Sequence, residues 1–166
     1  MRFDFWNTLH DGSIERVTGS VPGDLVLRVG IKYLTDVLPT VEDFLWVHLL
    51  GCTRFEMRTF DGDPVESLSE FPEEEVAEIQ NVQEVDGVVK VCSCGRSTGG
   101  FIHCVYRDAE IRLAEGRLLP QAELEAAAEE YWERWARRGR EARERRERGE
   151  PPVEEPRNPG GHLHPG

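Results

Sequence analysis

The chain has 166 residues, of which 32 are acidic and 20 basic, a net charge of −12. A surface of that sign repels phosphate backbones, which counts against nucleic acid as a ligand, and it suits a basic protein partner. No apolar run reaches the ~18 residues of a membrane span, and the opening Met1–Trp6 lacks a signal-peptide pattern, so a cytoplasmic location with reduced cysteines is expected.

The length fits one domain with an appendage, large enough to bury a core unaided. The acid is concentrated early: residues 1–119 hold 21 Asp or Glu against 11 Lys or Arg. Trp6 is placed as an N-terminal anchor. His10-Asp11-Gly12 offers an imidazole beside a carboxylate. Asp-Gly is also ordinary turn chemistry, and a turn before the first strand is the reading favoured over acid–base catalysis.

Residues 13–34 read as a hairpin. Ile14, Arg16 and Thr18 are expected on one face of its first strand, with Glu15 and Val17 on the other. Val21-Pro22-Gly23-Asp24 supplies the turn. Leu25, Leu27, Val29, Ile31 and Tyr33 then recur at period two, the pattern of a half-buried strand. Phe44–Leu50 is a strand of mixed faces, with His48 inside it and a bend or bulge at Gly51-Cys52. Arg54–Phe60 alternates again and ends at Asp61-Gly62-Asp63-Pro64.

Residues 65–77 fit either a short helix or a solvated loop. Ile79–Val85 and Val88–Cys94 flank Asp86-Gly87, a strong type I′ hairpin signal because both central residues need positive φ. A Gly/Ser/Thr-rich loop, Gly95–Gly100, leads to strands at 101–107 and 109–113. Pro120 opens a helix whose stripe Leu124, Ala127, Ala128, Tyr131 and Trp135, widened by Trp132, is expected to dock on the sheet. Beyond Arg137 only charged pairs remain. The prolines and glycines after Gly149 predict a disordered tail.

The expected fold is therefore mainly β (α+β): an antiparallel β-sandwich or curved sheet of seven or eight strands with a C-terminal α-helix. Its divisions are an antiparallel β domain over 1–119, a charged helix over 120–148 and a Pro/Gly-rich tail over 149–166. The expected core holds Leu25, Leu27, Val29, Ile31, Tyr33, Leu49, Phe55, Val89, Val91 and Cys104.

Two clusters are candidate sites. The acidic run Glu66, Glu70, Glu73, Glu74, Glu75 and Glu78 is a solvated face that could also steer a basic partner. Cys92, Cys94, His103 and Cys104 have the ligand types for zinc. However, Cys92 and Cys94 are too far apart along a strand for a knuckle, and His103 and Cys104 should point to opposite faces. Small buried side chains are therefore the favoured reading, with no cofactor expected and zinc as the alternative. Cys52 has no adjacent base to activate it. His162 and His164 lie in the tail. Ser97-Thr98-Gly99-Gly100 lacks the Lys and the helix of a phosphate loop.

The opening Trp6-x-x-Leu9-His10-Asp11-Gly12-x-Ile14, with the strand Leu25–Leu34 and the segment Leu50-Gly51-Cys52, resembles small bacterial proteins of the toxin-immunity type. The resemblance spans residues 5–114 and leaves out everything after Pro120. It implies a compact antiparallel β protein, cytoplasmic and non-catalytic, that binds and blocks a toxin. Immunity proteins against nucleases are often acidic because they cover a basic active site. The leading expectation is thus an acidic protein-binding module that inhibits a basic partner and uses exposed aromatics, rather than an enzyme. The alternatives are a small metal-binding or hydrolytic protein using the Cys/His cluster or His10 and Asp11, and a self-associating protein using the charged helix.

Overall fold

Period-two alternation becomes strand along most of its length, and nine strands result among the described residues. The computed structural model describes residues 5–64, 77–94 and 99–150. In chain order they form α1 (Phe5–Thr8), β1 (Ser13–Gly19), β2 (Gly23–Gly30), α2 (Lys32–Thr35), β3 (Phe44–Cys52), β4 (Arg54–Thr59), β5 (Ala77–Val85), β6 (Val88–Cys94), β7 (Gly99–Val105), β8 (Asp108–Leu113), β9 (Leu118–Leu119) and α3 (Gln121–Glu147). The chain is a mostly antiparallel sheet with a C-terminal helix, as its alternation predicts. Two compact units make it up, Met1–Tyr131 and Trp132–Gly166, and α3 runs from the first into the second.

The strands hydrogen-bond in the order β4-β7-β6-β5-β1-β2-β3-β8-β9. β3 and β4 are separated only by Thr53, and β7 and β8 only by Tyr106 and Arg107. Because β4 stands at one end of the order and β3 near the other, the sheet must curl back on itself. The corner is held by Thr53 N donating to Val105 O (2.8 Å) and Arg107 N donating to Leu50 O (2.9 Å). Curling turns one face inward, and apolar side chains fill it.

Leu27 and Val29 of β2, Leu45, Val47 and Leu49 of β3, Ile111 and Leu113 of β8, and Val91 and Ile102 across β6 and β7 are all fully buried. Each such side chain contributes about 1.5–3 kcal/mol relative to leaving it in water. Phe5 and Trp6 of α1, and Leu9 in the turn after it, join this interior. The Trp6 indole Nε1 donates to the Tyr106 hydroxyl at 3.0 Å, so the anchor is satisfied as well as buried.

Several local expectations shift. Ile14 and Val17 both face the core, because the β1–β2 register slips between Ile14 and Arg16. A bulge there inserts one extra residue, the only way for two strand residues three apart to share a face. A second slip opposes Gly23–Leu25 to Cys52–Leu49, with Gly51 at φ +60°, and Gly51 N donates to Asp24 Oδ1 at 2.7 Å.

Tyr33 is not in a strand. β2 stops at Gly30, and Tyr33 lies in α2, where its hydroxyl donates to Thr8 O. Burial pushes that hydroxyl's pKa up to about 12. Tyr33 and Phe55 pack against the core from partly buried positions, while the other eight expected core residues are buried.

The docking stripe of α3 ends early. Leu124 and Ala127 are buried and Tyr131 meets the Tyr33 ring at 5.1 Å, but Trp132 and Trp135 are 46% and 61% exposed. Segment 65–76 and the tail from 151 on lie outside the described residues, as do the expectations placed on them.

Candidate outer-face groove

Alternation that buries one face of β2, β3 and β8 sends the other face outward, and register decides what meets there. Arg16 of β1 pairs with Arg28 of β2, Arg28 with Trp46 of β3, Trp46 with Arg112 of β8, and Arg112 with Leu118 of β9. Three arginines and a tryptophan thus form one row across four strands, which Leu118 extends onto β9. Directly opposed arginines such as Arg16 and Arg28 are unfavourable in a sheet, and Arg28 has compensating contacts. Arg28 lays its guanidinium 4.2 Å above the Phe44 ring, an arrangement worth about 0.5–1 kcal/mol at an exposed site. Phe44 meets Trp46 edge to face at 5.1 Å.

Glu15, displaced by the bulge, brings its Oε2 within 3.1 Å of Arg28 Nε. That nitrogen is buried and lacks a well-aligned hydrogen bond, so the contact is an ion pair only. Burial raises the Glu15 pKa, and the Arg28 charge opposes the shift. Arg112 donates through Nη2 to Glu110 Oε2 at 2.7 Å and through Nη1 to Gly116 O at 3.1 Å. Trp46 Nε1 donates to Ala114 O at 3.2 Å.

Beside this row the surface sinks into a groove of about 460 Å³. Arg16, Arg28, Phe44 and Trp46 line it from the strands, and Val41, Glu42 and Glu115 from the flanking loops. Val41 is an apolar side chain that is 98% exposed. Two arginines and two glutamates thus surround an aromatic surface, so both signs of charge and apolar area meet in the groove.

No family model, curated protein or solved structure matches this chain.

The expected sites fall elsewhere. His10 and Asp11 do meet, Nδ1 to Oδ1 at 2.9 Å, but each is about half exposed. Asp11 sits at φ +65°, and Gly12 N donates to Leu9 O at 2.9 Å, so this is a turn leading into β1. Gly12 is required there: a Cβ would lie 2.8 Å from Leu9 O.

The four cysteine and histidine candidates do not converge. Cys104 is buried inside, its Sγ donating weakly to Val89 O at 3.6 Å, and burial pushes its pKa well above the ordinary thiol value. His103 faces outward, between Lys90 and Glu56 on the neighbouring strands. Burial lowers its pKa first, and Arg54 and Lys90 lower it further. Such surroundings oppose a divalent cation. Cys92 opposes Phe101 on the outer face, and Cys94, described in its backbone alone, pairs with Gly99. Among the described residues no three His, Cys, Asp or Glu side chains group to hold a metal.

Cys52 is also buried and its pKa raised by burial. A buried thiol with a raised pKa makes a poor nucleophile. Of the acidic run, Glu66, Glu70, Glu73, Glu74 and Glu75 lie outside the described residues. Glu78 stands on β5 opposite Ser13 and Cys94, accepting from Gln80 Nε2 at 2.6 Å. No helix among the described residues is long and apolar enough to cross a membrane.

Proposed function

We propose that this chain is a protein-binding module of the immunity type, which docks a basic protein partner and blocks it. The observation that carries the reading is the open groove where Trp46, Phe44, Arg28 and Arg16 meet on the outer sheet face. Tryptophan and arginine dominate binding energy at protein interfaces because they combine large apolar area with directed polar contacts. The net charge of −12 supplies long-range attraction toward a basic partner, which speeds encounter more than it tightens the final contact. In this division of labour the acidic residues, Glu66 to Glu78 among them, steer, and the groove anchors.

The test pairs the chain with the protein encoded beside its own gene. Co-expression should relieve that protein's toxicity, and the purified pair should bind with an association rate that falls as salt rises. Trp46→Ala should weaken binding by about 30-fold or more, the effect of losing a central anchor worth ~2 kcal/mol. Binding unchanged by Trp46→Ala would remove the groove from the interface. No binding and no relief of toxicity would remove the immunity reading.

A further inference from the structure

We propose that the exposed aromatic face of α3 binds the same face of a second copy of this chain, with the two helices antiparallel. Trp132 and Trp135 meet edge to face at 6.0 Å yet stay 46% and 61% exposed. An exposed tryptophan pair on a helix is costly to leave in water and marks a contact surface. Helical spacing continues their stripe through Gly139 and Ala142, so Trp132 and Gly139 hold one seam position of a heptad and Trp135 and Ala142 the other. Among the described residues a Cβ at Gly139 would meet nothing within 4 Å. Gly139 therefore answers no close packing among them, although glycine inside a helix costs about 1 kcal/mol relative to alanine. Antiparallel pairing explains it. Trp135 of each copy lies over Gly139 of the other, and Trp132 over Ala142, large side chains into small ones.

Charge selects both the occupant and its direction. The first part of the helix, 121–133, has five glutamates and no basic residue, whereas 134–147 has seven arginines and three glutamates. The helix macrodipole favours that polarity within one helix. It also makes two antiparallel copies complementary and two parallel copies repulsive, and it sets Glu129 of one copy beside Arg143 of the other at the flank of the seam. A phosphate backbone or an anionic bilayer would instead have to approach a chain of net charge −12.

Sedimentation of the full chain at physiological salt tests this. A dimer is expected, weakening as salt rises. Trp132→Ala/Trp135→Ala should raise the dissociation constant at least about tenfold. Both side chains are exposed, so the circular dichroism of the body should be retained. Arg143→Glu alone should raise the constant by about fivefold through paired like charges, and Glu129→Arg/Arg143→Glu should restore it. A chain that stays monomeric up to its solubility limit overturns the proposal. So does a dimer indifferent to the tryptophan pair, or failure of the double charge swap to restore what the single change loses. A monomer whose tryptophan fluorescence moves to the blue on vesicles of anionic phospholipid would replace the second copy with a membrane surface.

Discussion

The two faces of β3 are built from alternate residues of one nine-residue strand, and they differ in every other respect. Leu45, Val47 and Leu49 point inward and are fully buried among aliphatic neighbours. Phe44, Trp46, His48 and Leu50 point outward and are half-buried, Trp46 between Arg28 and Arg112 and His48 beside Glu110. The inner face asks for apolar volume at every second position, so any register that keeps the alternation in phase fills it. The outer face draws its character from register: Trp46 stands between Arg28 and Arg112 because β2, β3 and β8 pair with one offset and no other. Alternation makes the core, and pairing makes the groove.

The comparison can be broken most sharply through the thiols. Cys52 and Cys104 lie on the inner face, and their pKa values are raised by burial, whereas Cys92 is half-buried on the outer one. In a Cys94→Ser background, Cys92 should react with a maleimide more than about 10³-fold faster than the other two, whose labelling waits for the protein to open. Equal rates would mean that the two faces are not separated.

Next in size is a packing test. Leu27→Ala removes a fully buried side chain from the inner face and should cost about 2–5 kcal/mol in denaturant unfolding. A loss below about 1 kcal/mol would show a loosely packed interior.

The smallest effect sharpens the outer face. His48 and His103 both have lowered pKa values, by burial first and then by Arg112 beside His48 and by Arg54 and Lys90 beside His103. The unfolded chain therefore takes up protons at a higher pH than the folded one. Stability from this source is complete above the ordinary imidazole value of about 6.5 and declines as pH falls through it toward the folded values. The melting temperature should drop across that window, and His48→Gln/His103→Gln should flatten the drop. Glu56 acts in a separate range. Hydrogen bonds from Arg54 and then Arg58 lower its pKa, so its contribution is lost only below the ordinary carboxylate value.

Much of the fold was legible because its signals are local. Asp86-Gly87 turns β5 into β6 with φ +53° and +77°, as the dipeptide requires. Leu25, Leu27 and Val29 alternate into the core, and the split of His103 from Cys104 follows from period two alone. The groove was not legible. Arg16, Arg28, Trp46 and Arg112 are separated by up to 66 residues between neighbours and look like ordinary outward positions until pairing aligns them. The bulge at Glu15 was hidden for a related reason: Ile14 and Val17 break the alternation, and only the partner strand shows that an extra residue, not a change of face, resolves it. Tyr33 kept the period of β2 but left the strand, because α2 brings its hydroxyl to Thr8 O. Periodicity carries the stripe of α3 through Trp135, although Trp132 and Trp135 are exposed.

The corner at Thr53 bears on how this protein comes into being. β3 and β4 form one stretch of chain that finds its partners in β8 and β7, more than forty residues later. Pairings that distant are slow to form, because loop-closure entropy must be overcome before the contacts repay it. During synthesis, Phe44–Cys52 leaves the ribosome with one flank unpaired until β8 follows, and that flank is a long apolar edge of the kind that recruits other chains. The nascent polypeptide is thus most vulnerable between the emergence of residues 52 and 113, the interval in which a chaperone would matter most.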